Sequence, residues 1–389
     1  MDAAGVDVAA VMAQAPSSVG ALFNRRVERS QNELAFKSPT ADGWASLTWT
    51  ETKEQVDTLA AALLALGLQP EDRVAIASTT RLEWILLDLA INSAGGATTT
   101  IYPNTGPDEF AHIVSHSGSR FFVAENATQL AKLTGSPEVS DRVDRVILLD
   151  GDAGADARVL TWDGLMKLGR AKLADDPGCV QRATDATGPD SLATLIYTSG
   201  TTGVPKGVEL THGSWVYEGE MLQALHFIEA GSLQFLWLPL SHVFGKLLIA
   251  AQLSIGFGTA VDGRQDQIVN GLGATGPNFM CGVPRVFEKV RNAVVTASPK
   301  GSLKWRISRW AFAVGYGARP YRIGGQPMPP HLKAAYKLAD KLVYSKLRAK
   351  LGGNIEFLVS GSAKLSSQVQ DWFYSAGILL IEGYGMTET

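Results

Sequence analysis

The residues best suited by type and spacing to do chemistry are Tyr197 to Gly207, YTSGTTGVPKG, which follow the apolar run Leu192 to Ile196. A β-rich apolar run that breaks into glycines, hydroxyls and one lysine reads as a buried strand ending in a phosphate-holding loop. Gly200, Gly203 and Gly207 let the backbone turn tightly and approach an anion without Cβ interference. Thr198, Ser199, Thr201 and Thr202 add hydroxyls, and Lys206 adds a compact positive charge suited to phosphate oxygens. An interior lysine among such groups needs an anion, and a nucleoside triphosphate fits. Two commoner nucleotide signatures fail. The P-loop spacing is broken by Pro205 before the lysine and Gly207 after it. The G-x-G-x-x-G match at Gly271, Gly273 and Gly276 is followed at once by Pro277, with no carboxylate about twenty residues on.

Elements that would hold this loop are legible on both sides of it. Thr48-Trp49-Thr50-Glu51 is a capping-box pattern opening a helix with Val56, Leu59, Ala60, Leu63 and Leu66 on one face. A strand Val74 to Ala77, a helix Leu82 to about Ser93, a strand Thr98 to Ile101, a helix Pro107 to about Ser115, and strands Phe121 to Ala124 and Val146 to Leu149 follow. The polar span Ala174 to Pro189 reads as a surface linker. After the loop come a helix from His212 to about Phe227, a strand Phe235 to Leu240 and a helix entered at His242 with Ser241 as its cap. Strands Asn278 to Gly282, Ile355 to Val359 and Ile378 to Ile381 alternate with helices Val286 to Ala297 and Ser367 to Ala376. This alternation predicts an α/β fold of two βαβ-type parts with largely parallel sheets, roughly residues 20–185 and 190–389, ligands lying at the strand ends.

Composition sets outer limits. A chain of 389 residues, 46% hydrophobic and 19% charged, is long enough for two or three packed parts. Cys179 and Cys281 offer neither a disulfide framework nor metal spacing, which fits a reducing cytosol. The N-terminus lacks the pattern of a signal peptide, and every apolar run is interrupted well short of the roughly 20 residues of a membrane span.

YTSGTTGVPKGVELTH closely resembles the signature of the adenylate-forming, AMP-binding superfamily of acyl-CoA synthetases, luciferases and peptide-synthetase adenylation domains. Three further stretches occur in that superfamily's order: LPLSHVF (Leu238 to Phe244), VSGSAKL (Val359 to Leu365) and EGYGMTET (Glu382 to Thr389). VPRVFEKV (Val283 to Val290) is similar to the long-chain fatty acyl branch in particular. The resemblance implies two steps, ATP-dependent activation of a fatty acid to acyl-AMP and transfer of the acyl group to coenzyme A. It implies nucleotide contacts from Thr198 to Gly203, Lys206, Gly361, Ser362, Ala363, Glu382, Gly383, Tyr384, Gly385 and Thr387. Tyr384 would stack on the purine and Thr387 would bond the α-phosphate. Mg²⁺ accompanying ATP would meet Glu388 and Thr198. Lys206, His242, Thr387 and Glu388 are the catalytic candidates.

On its residues alone His242 reads as a capping or core histidine; the resemblance instead puts it and Val243 beside the acyl group. Thermophilic long-chain relatives carry an aromatic gate residue just after this histidine, where this chain has Lys246. His112, His116, His212, His226 and His331 are read as structural. The resemblance stops with the chain at Thr389, so the ribose-binding acid and the small mobile C-terminal domain are expected to be absent. The alternative is a non-catalytic remnant that binds only nucleotide, lipid or a membrane surface.

The chain carries a net charge of −3, yet Arg285 to Lys350 holds about fifteen basic residues against two acids. Interleaved with apolar residues in LKWRISRWAFAVGYGARPYR and HLKAAYKLADKLVYSKLRAK, they read either as a solvated face or as amphipathic helices resting on an anionic membrane. The protein is therefore expected to be cytoplasmic, with peripheral contact at the inner membrane face as an option. No nucleic-acid recognition motif accompanies the charge.

Overall fold

The computed structural model describes residues 5–198 and 203–388. Two compact units divide it: one comprises Met1–Gly231, Pro239–Gly263 and Glu388, the other Ser232–Leu238 and Arg264–Thr387. The boundary expected near residues 185–190 falls inside the first unit. The strand that leads into the Gly/Thr stretch pairs with a strand from the first hundred residues and so continues their sheet.

In the first unit, β1 (Leu34–Thr40) and β2 (Gly43–Thr48) form a hairpin. The main sheet contains β3 (Arg73–Ala77), β4 (Ala97–Ile101), β5 (Phe121–Ala124), β6 (Arg145–Leu148), β7 (Val159–Thr161), β8 (Leu192–Thr198) and β9 (Lys206–Thr211). Its order is β7-β6-β5-β3-β4-β8-β9, parallel throughout until β9 runs back antiparallel to β8. The central strands are buried along their length, as βαβ crossovers require, so they read as nearly unbroken apolar runs. Their core joins Ala75, Ile101, Phe110, Phe122, Val146 and Leu195, with Phe110 edge-on to Phe122 at 5.2 Å.

The helix Trp49–Ala65 opens on the expected capping box, Thr48 and Glu51 satisfying each other's backbone amides. The span Ala174–Pro189 is not a surface linker. Cys179–Asp185 is helical, Cys179, Val180 and Thr184 are buried, and the Thr184 hydroxyl donates to the Ser93 carbonyl at 2.8 Å. Its turn-rich composition concealed the few apolar residues that pin it to the helix Leu82–Ser93.

In the second unit, β10 (Leu233–Leu236), β12 (Phe279–Gly282), β13 (Phe357–Ser360) and β14 (Leu379–Glu382) form a parallel ladder in that order, whereas β11 (Gly258–Val261) belongs to the first unit and pairs with β1. Phe279 stacks on Phe357 across the ladder at 5.1 Å. The three glycines of the failed dinucleotide pattern lie in or cap the helix Ile268–Thr275. A Cβ at Gly271 would sit 2.5 Å from the Phe235 ring, and Gly276 ends the helix with φ +58°. The basic segment forms the helices Leu303–Ile323 and Pro330–Ala339. The first buries only Ala311, Gly315 and Ala318, a small-residue face against which Tyr344 and Ser375 pack. Among the described residues, no helix is long and apolar enough to cross a membrane.

Candidate functional site

The first unit gathers one group of expected site residues at the ends of its parallel strands. β8 and β9 pair in the register Tyr197↔Gly207 and Thr198↔Lys206, so the hydroxyl of Thr198 and the amine of Lys206 leave the ladder side by side. Lys206 is exposed rather than interior, because it opens the last strand of the sheet. Ser199, Gly200, Thr201 and Thr202 lie outside the described residues; Gly203 has φ +80°, the left-handed conformation its type allows. Tyr197 is buried against Gly207, where a Cβ would lie 3.1 Å from the ring. Burial pushes its phenol up to about 12.

His242 joins this group through β4. Thr100, opposite Ile196 in the register, donates its hydroxyl to the Ser241 carbonyl at 3.1 Å. The cap of the following helix, Val243–Ile255, is His242 and not Ser241. His242 Nδ1 accepts the Phe244 amide at 3.1 Å, while Ser241 is buried. An Nδ1 that accepts leaves the ring proton on Nε2. Burial lowers the His242 pKa, so near neutral pH the ring is an uncharged donor from Nε2. Val243 follows as the first helical residue, half-buried.

The second unit gathers the other group. Ser360 pairs with Glu382 in the β13–β14 register, and the Gly383 amide donates to the Ser360 carbonyl at 2.8 Å. The turn Gly361-Ser362-Ala363 and the stretch that begins at Glu382 therefore leave adjacent strands together. Glu382 also braces that turn, its Oε1 accepting the Leu365 amide at 2.8 Å. Ser362 has φ +64°, a left-handed conformation that non-glycine residues adopt only where neighbours impose it. Gly383, Tyr384 and Gly385 are exposed, Tyr384 at 90%, and Thr387 is half-buried; Glu388, also exposed, belongs to the first unit.

The AMP-binding enzyme family model matches residues 23–389. The chain belongs to the AMP-binding enzyme family. It is 33% identical over 374 residues to the long-chain-fatty-acid–CoA ligase FadD15 of Mycobacterium bovis, an alignment covering 93% of this chain and 59% of that protein. It is 27% identical over 385 residues to the long-chain-fatty-acid–CoA ligase ACSBG2 of Homo sapiens, covering 97% and 57%. The chain thus spans less than two thirds of these relatives. In fold it is similar to the N-terminal domain of FACL13 from Mycobacterium tuberculosis, solved with an inhibitor (TM-score 0.68, 18% identity, 96% of this chain and 76% of that one). It is likewise similar to the long-chain-fatty-acid–CoA ligase FadD1 of Archaeoglobus fulgidus (TM-score 0.67, 15% identity, 96% and 65%).

The helix that His242 caps carries one half of a buried charge pair that sequence reasoning missed. Lys246, one helical turn after His242, is buried with its Nζ 2.5 Å from both carboxylate oxygens of Asp88. Trp84 and Trp215 rings lie 5.8 and 5.3 Å from the amine, and Thr98 donates to the same carboxylate at 2.6 Å. Burial pushes Lys246 below the ordinary lysine range, and Asp88 opposes that shift. His212 is buried nearby. Desolvation first, then the Lys246 charge, lowers its pKa to about 4, while Nδ1 accepts the Val19 amide at 3.2 Å. Lys246 thus spends its charge on an ion pair within the protein. The only sequence signal was a lysine interrupting an apolar helix face.

Among the described residues no group of three or more His, Cys, Asp or Glu side chains could hold a metal. Glu388, expected to meet Mg²⁺, is therefore in no such group.

Proposed function

We propose that the chain binds MgATP and a long-chain fatty acid and supports formation of an acyl-adenylate, the first half of a fatty-acid–CoA ligase reaction. The observation carrying this reading is the register that sets Thr198 opposite Lys206 at the end of a buried β-strand, in a chain of the AMP-binding family. A fatty acid carboxylate oxygen attacks the α-phosphorus, the bond to pyrophosphate breaks, and acyl-AMP remains. Coenzyme A thiol then attacks the acyl carbonyl carbon and AMP leaves.

The first step brings two anions together, so the residues' task is to spread negative charge. Lys206 supplies a full positive charge toward the leaving phosphates, and Thr198 supplies a hydroxyl beside it. His242, held by the Phe244 amide, offers Nε2–H to the carboxylate without adding charge. Glu382 fixes the Gly361–Ala363 turn, and Tyr384 presents an open ring for the purine. Thr198 and Glu388 would offer oxygens to Mg²⁺ arriving with the triphosphate, which would neutralise part of its charge.

The test is MgATP binding by calorimetry, followed by fatty-acid-dependent pyrophosphate release, in the chain and in Lys206→Ala. Binding and release that Lys206→Ala abolishes support the reading. A chain that binds neither MgATP nor fatty acid overturns it.

A second reading concerns where the lipid comes from, in a cytoplasmic enzyme that touches the inner membrane face. On the helix Leu303–Ile323 the exposed residues Leu303, Tyr316 and Ile323 stand among Lys304, Arg306 and Arg309, a pattern suited to an anionic bilayer. Part of the positive charge is engaged within the unit: Arg319 pairs with Asp371, Arg348 with Asp340, and Arg322 stacks between Tyr336 and Tyr374. Co-sedimentation with anionic vesicles that exceeds co-sedimentation with neutral ones supports this role; equal, negligible binding removes it.

A further inference from the structure

The helix Pro107–Ser117 carries two histidines one turn apart, and both reach the end of the β8–β9 hairpin. His112 Nε2 lies 3.1 Å from the Pro205 carbonyl, and His116 Nδ1 lies 2.8 Å from the Tyr197 hydroxyl. A carbonyl only accepts, so His112 carries its proton on Nε2. The two imidazoles lie 5.3 Å apart and 31° from parallel. Both meet the Tyr197 ring edge-on, at 6.3 and 5.8 Å. Tyr197 in turn covers Gly207, which has no side chain to push the ring away.

These contacts hold the hairpin on either side of the Thr198–Lys206 rung, Tyr197 one position inside it and Pro205 one position beyond it. Tyr197 immediately precedes Thr198, and Pro205 immediately precedes Lys206, the pair that leaves the ladder together. We infer that His112 and His116 are positioning residues: they fix the separation and aim of Thr198 and Lys206 without touching the nucleotide. An antiparallel pair at the edge of a sheet is open to twisting and fraying. A helix anchored in the core by Phe110, Ile113 and Val114 supplies an external reference for both strands. Without it, Lys206 would still be present but its charge would be spread over many orientations, and binding would bear the cost of ordering it.

This inference rests on the proposed nucleotide binding, so its test has a readout free of nucleotide. In the full chain without ligand, amide hydrogen exchange is compared between the parent and the double variant His112→Ala, His116→Ala. Exchange in peptides spanning 203–208 is expected to rise about tenfold while β3 and β5 stay protected. MgATP affinity should fall about tenfold with fatty acid affinity unchanged. His112→Gln with His116→Asn, which keeps a nitrogen near each contact point, should recover most of both. Unchanged exchange at 203–208 overturns the inference. So does faster exchange with unaltered MgATP affinity. If the parent binds no MgATP while the exchange difference appears, the function proposed above fails and the histidine grip on the hairpin stands. Should the alanine variant exchange faster throughout, the Gln/Asn variant decides: a protected hairpin with weakened MgATP binding overturns the inference, and parental affinity supports it.

Discussion

Two lysines in the first unit, at the end of the hairpin and just behind His242, show how the same side chain does opposite work. Lys206 opens an edge strand and faces solvent; Lys246 is sealed between tryptophans and neutralised by Asp88. An exposed ammonium costs nothing to keep charged and is available to an incoming anion. A buried one must be paired within the protein, and once paired it has nothing left to offer a substrate. A positive charge becomes a binding group through its surroundings, which its neighbours in sequence do not disclose.

The comparison can be broken most forcefully at Asp88. Asp88→Asn leaves the Lys246 charge uncompensated and should destabilise the chain by about 3–5 kcal/mol, measured by urea unfolding. Replacing both partners, Asp88→Leu with Lys246→Met, should return stability close to that of the parent, since pair and desolvation cost vanish together. A double variant as unstable as the single one would mean that the pair has a role beyond charge balance.

Lys206→Ala should behave in the opposite way. Unfolding stability should stay within about 0.5 kcal/mol. Pyrophosphate release should fall by on the order of 10²–10³, roughly 2.7–4 kcal/mol of barrier. Equal losses in stability and turnover would erase the distinction between the two lysines.

His212 sharpens the contrast through pH. Its folded pKa is lowered to about 4 from 6.5, so between these values the unfolded chain binds more protons than the folded one. Stability contributed by keeping this ring neutral is present above about pH 6.5, declines as pH falls toward 4 and levels off below. The loss amounts to at most roughly 3 kcal/mol. His212→Asn should flatten that part of the stability–pH curve; an unaltered slope would assign it to other groups. The smallest effect is expected at Gly207→Ala, where the new Cβ would press on Tyr197 from 3.1 Å. It should cost about 1 kcal/mol and weaken MgATP binding more than fatty acid binding.

How much of this was visible in the residues differs by element. The helix Leu82–Ser93 and the strand Phe121–Ala124 stand where periodicity places them, since each is decided by its own apolar pattern. The β1–β2 hairpin and β9 were not legible. β1 carries Pro39 near its end, and β9 is only partly buried, so neither shows an apolar run. The strand expected over Phe235–Leu240 ends at Leu236, with Pro239 lying beyond its end.

Thr198 and Lys206 stood out as candidates because glycines, hydroxyls and a lysine were contiguous. Asp88 with Lys246, and His112 with Pro205, did not, because each contact spans about a hundred residues or more and only folding supplies it. The five histidines read together as structural divide on inspection: His212 is an interior acceptor, while His112 and His116 reach the hairpin that carries Lys206.

The sheet order has a mechanical corollary. With β9 at its end, the strand bearing Lys206 is tied to the sheet by a single antiparallel ladder, and six parallel strands lie behind it. Shifting that amine by an ångström or so strains one seam and leaves the load-carrying body of the sheet at rest.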